Sequence, residues 1–132
     1  MPAKQDFCVD IDVRWGDMDA FGHVNNTRIV AYIEDARIAW MDSICRDWQN
    51  RQQLPALVNL DCNFRREIVF PRQLRVHVKA NRASERRVLH RYIIRDRNDP
   101  DQIYADAEST IVWIDLETRT SLPVPDYMAG AL

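Results

Sequence analysis

A chain of 132 residues fits one compact domain with a single sizeable core. At 46% hydrophobic residues it is not a disordered chain, and a formal charge of −2 lacks the basic field of a general nucleic-acid binder. No apolar run approaches the roughly 20 residues that cross a bilayer, and MPAKQDFCVDIDV lacks a secretory apolar core, so the expectation is a cytoplasmic protein with no membrane and no nucleic-acid partner.

In chain order, Phe7, Val9, Ile11, Val13 and Trp15 alternate with Asp10, Asp12 and Arg14, the period of a half-buried strand that Gly16 and Asp17 end. From about Asn25 to Asp47 the period lengthens. Ile29, Ile33, Ala36, Trp40 and Ile44 recur every three or four residues, which predicts one long helix with a broad apolar face. WQNRQQLP reads as its frayed exit, and Leu54-Pro55 opens the next element. Everything afterwards reads as strand. Val58, Leu60, Cys62, Phe64, Ile68 and Phe70 share a face interrupted by Arg66, and Pro71 marks a turn. Leu74, Val76, Val78 and Ala80 form the next apolar face, then NRASERR turns into VLHRYIIR. Asn98-Asp99-Pro100-Asp101 is a strong turn signal, after which Ile103, Ala105, Ala107, Ile111 and Trp113 make a last face.

Consecutive strands joined by short turns imply an antiparallel sheet, and one long helix has a single sheet face to cover, so the sheet should curl around it. The opposite face carries Val69, Leu89, Ile93, Val112 and Ile114. One helix cannot bury both faces, which predicts a homo-oligomer, dimer or tetramer. Cys8, Cys45 and Cys62 are scattered, as are His23, His77 and His90, so neither a disulfide framework nor a structural zinc site is expected. Sixteen arginines stand against two lysines; arginine forks suit phosphate and carboxylate, and a GC-rich coding bias explains the excess equally well.

The stretch GDMDAFGHVNN, Gly16 to Asn26, holds two of the three glycines, two acids, a histidine and two asparagines. The first N–H groups of a helix lack intrahelical partners and carry partial positive charge, so they can polarise a carbonyl or hold an oxyanion. A carboxylate just upstream can reach the same spot, and Gly16 and Gly22 allow sharp turns close to a ligand. An acid or asparagine before a helix is ordinarily a cap. Asn25 or Asn26 already fills that role, which leaves Asp17 and Asp19 without a structural need.

RWGDMDAFGHVNNTRIVAYIEDAR resembles the signature of hotdog-fold acyl-CoA thioesterases of the 4-hydroxybenzoyl-CoA thioesterase-like group: Asp-x-Asp, a short loop, HVNN, then a helix with an aromatic, an acid and Ala-Arg. Plant acyl-ACP thioesterases carry a similar D-x-D-x-x-x-HVNN stretch. Phe64, Pro71 and AESTIVWIDLETRTSLPVP fit the later strands, so the resemblance covers nearly all of one domain, 1–132. It implies an α+β hotdog fold, a curled antiparallel sheet of about five strands around one long helix. The implied activity is hydrolysis of a fatty or aromatic acyl-CoA, or of acyl-ACP, to free acid and thiol, with no metal and no cofactor.

Carried over residue by residue, the resemblance makes Asp19 the catalytic carboxylate, as nucleophile or as general base on water. Asn26 supplies the helix-start amide that polarises the carbonyl, His23 orients substrate or water, and Asp17 is structural. Phe21, Gly22, Val24 and Asn25 of the loop, with Ile29 and Phe64, are the implied substrate contacts; Tyr32 and Ile33 share in setting pocket depth. Basic residues near the NRASERR turn contact coenzyme A phosphates in relatives, which points to Arg82, Arg86 and Arg87, against the plainer reading of a solvated hairpin. Two positions depart from the pattern: Ile29 stands where many members have tyrosine, and Phe21 replaces the asparagine of the acyl-ACP enzymes.

Glu34 is the rival carboxylate. It lies eight residues past Asn26, about 12 Å along a helix rising 1.5 Å per residue, too far to attack at the helix start, so a buried contact with Arg37 or a loop amide is expected. Arg65 and Arg66 read as interface or surface charges rather than ligands, and Trp15, Trp40 and Trp113 as core or pocket walls. A non-catalytic acyl-thioester binding module on the same fold is the alternative, and a dehydratase a weaker one.

Overall fold

The computed structural model describes residues 7–132; the reading of the first six residues as free of a secretory core lies outside them. Strand β1 (Phe7–Asp12) is followed by the long helix α1 (Asn26–Ile44) and then by β2 (Gln53–Phe64), β3 (Gln73–Arg82), β4 (Arg87–Asp96), β5 (Ile103–Asp115) and the two-residue β6 (Ser121–Leu122). A short helix α2 (Asp126–Ala129) ends the chain. The strands form one antiparallel sheet in the order β1-β3-β4-β5-β2, with β6 on β5. This is the curled sheet and single main helix of the hotdog fold.

Alternation along the central strands puts one apolar face against α1. Leu74, Val76, Val78 and Ala80 of β3 lie beside Val88, Tyr92 and Ile94 of β4 and Ala105, Ala107, Ile111 and Trp113 of β5, all buried. From the helix, Ile29, Ile33, Ala36 and Trp40 descend onto this floor at the spacing of its apolar stripe. The pattern also encloses polar side chains, His90 and Ser109 opposite each other and Asp96 at the end of β4. His90 is fully buried, set edge-on to Trp40 with ring centroids 4.5 Å apart, and burial pulls its pKa down to about 3.

Five details differ from the sequence reading. Trp15 is 72% exposed, because the chain leaves β1 at Asp12 and enters a short 3₁₀ turn that carries the ring out of the strand's phase. The segment after α1 is packed rather than frayed: Trp48 is buried and its Nε1–H donates to Asp42 at 2.7 Å. The apolar face read from Val58 through Phe70 is broken twice. A bulge between Leu57 and Asn59 takes Val58 out of register, and β2 stops at Phe64, so Val58, Phe64 and Phe70 are exposed. Ile103 is also exposed, at the first position of β5. Glu34 lies exposed on α1, not in a buried contact. The closing helix α2 was not anticipated. It buries Met128, and the Tyr127 hydroxyl accepts from Trp113 Nε1 and donates to the Gln53 carbonyl.

Candidate active site

The loop between β1 and α1 is a tight hairpin built on its own backbone. Met18 bridges Val24, the Asp19 amide donates to the His23 carbonyl at 3.1 Å, and the Gly22 amide donates back to the Asp19 carbonyl at 3.0 Å. Gly22 has φ 86°, a conformation that a side chain would strain. Gly16 has no positive φ, so the argument from loop flexibility applies at position 22 alone. The Val24 amide donates to the Ile68 carbonyl at 2.7 Å and thereby fastens this hairpin to the segment after β2.

Asp17 and Asp19 have separate duties. Asp17 is 2% exposed and accepts from the Tyr32 hydroxyl at 2.6 Å, the Arg14 amide at 3.1 Å and the Arg14 guanidinium at 3.3 Å. Burial alone would raise its pKa, but these donors outweigh burial and hold the carboxyl below its ordinary value. Burial, and then the same bond, push the Tyr32 hydroxyl upward. Asp17 thus ties the loop to the middle of α1, a structural role.

Asp19 is half-buried. Its Oδ1 accepts from the Phe21 amide at 2.9 Å and its Oδ2 from Asn25 Nδ2 at 3.0 Å. Asn25 in turn caps the helix, its Oδ1 accepting from the Thr27 amide at 2.8 Å and the Thr27 hydroxyl at 2.7 Å. The Asp19 carboxylate is therefore one side chain removed from the first turn of α1. The amides of Asn25, Thr27, Arg28 and Ile29 all have acceptors. The Asn26 amide has none among the described residues, so the helix opens with one N–H unspent.

Asn26 lines a cleft of about 190 Å³ together with His23, Val24, Ile29, Phe64 and the segment 65–68. Val24 and Ile29 form its buried wall, while His23 is partly exposed and loosely stacked on Phe21, the 84% exposed tip of the loop. Asp19 is not among the lining residues and stands behind Asn25. Arg65, Arg66, Glu67 and Ile68 do belong to the lining. Sequence reading passed over them as strand and surface, although the charged interruption of an apolar alternation at NFRRE was the available signal. Arg65 is spent on Asp106, at 2.8 Å.

The arginines of the β3–β4 turn are elsewhere. Arg82 lies nine residue steps along β3 from Gln73, whose neighbour Arg72 meets the loop at Val13, so at about 3.3 Å per residue the turn lies roughly 30 Å from the loop end of the sheet. Arg82 donates to the carbonyls of Ser84 and Glu85, and Arg86 to that of Ser121. A single chain does not bring Arg82, Arg86 and Arg87 to the cleft. A larger hollow of about 790 Å³, lined by Ala39, Asp42, Ser43, Ile44, Arg46 and Gln49, sits at the far end of α1 and shares nothing with the loop.

A helix-start residue and an imidazole line one cleft, with a loop carboxylate outside its lining but bonded to the helix cap, and these are groups that attack on an activated acyl carbon can use. The family described as the thioesterase-like superfamily matches residues 13–132. The chain belongs to that superfamily. The long-chain acyl-CoA thioesterase FadM of Escherichia coli (strain K12) is 30% identical over 115 residues, covering 85% of this chain and 86% of that protein. Among solved structures, PA2801 from Pseudomonas aeruginosa superposes with a TM-score of 0.88 at 30% identity, over 96% of this chain and 98% of that one. Slr0204, a 1,4-dihydroxy-2-naphthoyl-CoA thioesterase from Synechocystis, gives a TM-score of 0.88 at 24% identity over 96% and 95%, a likeness of fold.

Membership assigns this thioesterase to the thioester hydrolases. The chemistry suits the cleft, because a thioester carbonyl has little resonance protection and needs placement and oxyanion stabilisation more than strong acid help. Among the described residues no group of three or more His, Cys, Asp or Glu could hold a metal ion, and no helix is long and apolar enough to cross a membrane.

Proposed function

We propose that this thioesterase hydrolyses acyl-CoA to free acid and coenzyme A in the cytoplasm, with fatty or aromatic acyl groups as the substrate class. The observation that carries the reading is that Asn26, whose amide has no acceptor among the described residues, lines the cleft, while the Asp19 carboxylate is bonded to the neighbouring cap Asn25. The carbonyl oxygen takes the Asn26 N–H, which supports the negative charge that develops on addition. Asp19 either attacks the acyl carbon, forming a mixed anhydride that water hydrolyses after the C–S bond breaks and the coenzyme A thiolate leaves, or takes a proton from a water that adds to the acyl carbon and expels the thiolate, which is then protonated; His23 orients the water or the substrate. Val24, Ile29 and Phe64 give the acyl group an apolar wall, Phe21 and Gly22 shape the rim, and Asn25 holds Asp19.

The working form in this proposal is a homodimer or homotetramer. Its support is the outer sheet face, with Ile93 42% exposed and Leu89, Val112 and Ile114 partly exposed, and the open edge of the twelve-residue strand β2; Val69, expected on this face, lies instead in the segment between β2 and β3. Arg82, Arg86 and Arg87 can meet coenzyme A phosphates at a cleft only if another subunit presents them. Thiol release from a panel of acyl-CoAs, followed with a thiol-reactive dye, tests the function. A hydrolase frees coenzyme A, whereas a binding module on the same fold retains ligand and frees none.

A further inference from the structure

On the face of the sheet turned away from α1, Lys79 of β3 stands directly opposite Arg91 of β4, and Arg75 opposite Arg95, with His77 and Ile93 between the two rows. Like charges directly opposite each other across an antiparallel pair are destabilising. The Arg75 row is relieved locally: Arg75 Nε donates to Asp10 at 2.7 Å, and Arg95 Nε donates to His77 Nε2 at 2.6 Å. The Lys79 row is not. Arg91 reaches one carboxylate, Glu108, through Nε at 3.2 Å, and Lys79 has no ion-pair partner among the described residues, so two cations share one acid. Both border a hollow of about 440 Å³ whose apolar lining is Ile93, Ile103 and Pro100. Small-molecule sites run to roughly 300–1,000 Å³, mostly apolar with a few polar groups that fix orientation. Ile103 pairs beside Arg95, four residues along β4 from Arg91 and hence about 13 Å away at 3.3 Å per residue. The hollow thus has a charged end and an apolar end. Subunit pairing along the β2 edge leaves it open, and Leu89, Val112 and Ile114 lie toward the opposite end of β4 and β5.

We propose that this hollow is a second ligand site, for a long-chain carboxylate: the head group sits on Lys79 and the terminal nitrogens of Arg91, and the chain runs over Ile93 toward Ile103 and Pro100. An anion there removes the repulsion between Lys79 and Arg91 while covering exposed apolar surface. One unbalanced charge at one end of an apolar floor matches a single anionic head with a hydrocarbon tail; the several phosphates of a nucleotide would leave charge lying over Ile93. The site stands apart from the cleft, on the other side of the sheet, and its occupation does not depend on the thioesterase reading, although such a carboxylate is the class of product that reading releases.

The test titrates the full-length chain with dodecanoate below its micelle concentration and follows backbone amides by ¹H–¹⁵N NMR. The amides of Lys79, Arg91 and Ile93 should shift, whatever happens at the loop and α1, because a product bound in the cleft moves a different set. Lys79→Glu places a like charge against the head group and should weaken the binding read at Ile93 by about tenfold or more. Both Lys79 and Ile93 are exposed, so Lys79→Glu and Ile93→Glu should keep the parent thermal midpoint, and Lys79→Glu the parent acyl-CoA turnover. Dodecanol, which lacks the charge, and acetate, which lacks the chain, should leave the three amides in place at the same concentration. Shifts confined to the cleft, undiminished binding by Lys79→Glu, or an equal response to dodecanol overturns the proposal. So does coenzyme A alone moving the same amides, which would make the hollow a phosphate site, or a smaller mass for Ile93→Glu by light scattering, which would make it a contact between copies. Loss of acyl-CoA turnover bears on the thioesterase reading only, since none of these binding measurements uses it.

Discussion

One residue separates Asp17 from Asp19, yet the chain treats them as opposites. Asp17 is sealed behind the Tyr32 hydroxyl, and its pKa is lowered; Asp19 stays half-buried and holds a cap. Tyr32→Phe should cost about 1.5–3 kcal/mol in urea unfolding, the range for a hydrogen bond to a charged group. His90 supplies the pH dependence. Its folded pKa is about 3, below the ordinary 6.5, so the folded chain binds fewer protons than the unfolded one between those values. Its contribution is therefore fully present above pH 6.5 and is lost as pH falls toward 3. The thermal midpoint should decline on acidification from pH 6.5, and His90→Phe should flatten that decline down to about pH 4.5, where carboxylates such as Asp17 begin to dominate.

At the scale of elements, α1 is the piece on which both core and cleft depend. Ile33 is 1% exposed on its apolar stripe, and Ile33→Ala should cost about 2–5 kcal/mol by chemical denaturation. The helix and the three central strands were legible in the sequence because their apolar residues keep a single period: Ile29, Ile33, Ala36 and Trp40 on one, Leu74, Val76, Val78 and Ala80 on the other. Legibility failed where something non-local breaks the period. The bulge at Leu57 in β2 shifts Val58 out of phase, and the 3₁₀ turn at 15–17 swings Trp15 outward. The site divided in the same way. Asp19, His23, Asn25 and Asn26 are neighbours in sequence and could be read together. The segment holding Glu67 joins the cleft through one backbone bond, Val24 to Ile68, across 44 residues; the charged break at NFRRE marks that segment but not what it meets. The arginines of the β3–β4 turn show the converse, a local basic cluster that the sheet carries to the far end of the molecule.

For the whole molecule, a sheet covered on one face by α1 leaves the other face and the β2 edge open, and the proposed oligomer closes them. Light scattering at micromolar concentration should give twice or four times the chain mass; a monomer alone would remove the proposal, and with it any part for Arg82, Arg86 and Arg87 at the cleft. The central claim concerns chemistry at the opening of α1. Its most direct measurement compares thiol release by the parent chain and by Asp19→Asn on the best acyl-CoA of the panel, with circular dichroism confirming that both are folded. A fall in kcat of at least about 10²-fold with the fold intact is the predicted result; a folded Asp19→Asn variant turning over at the parent rate would contradict the account.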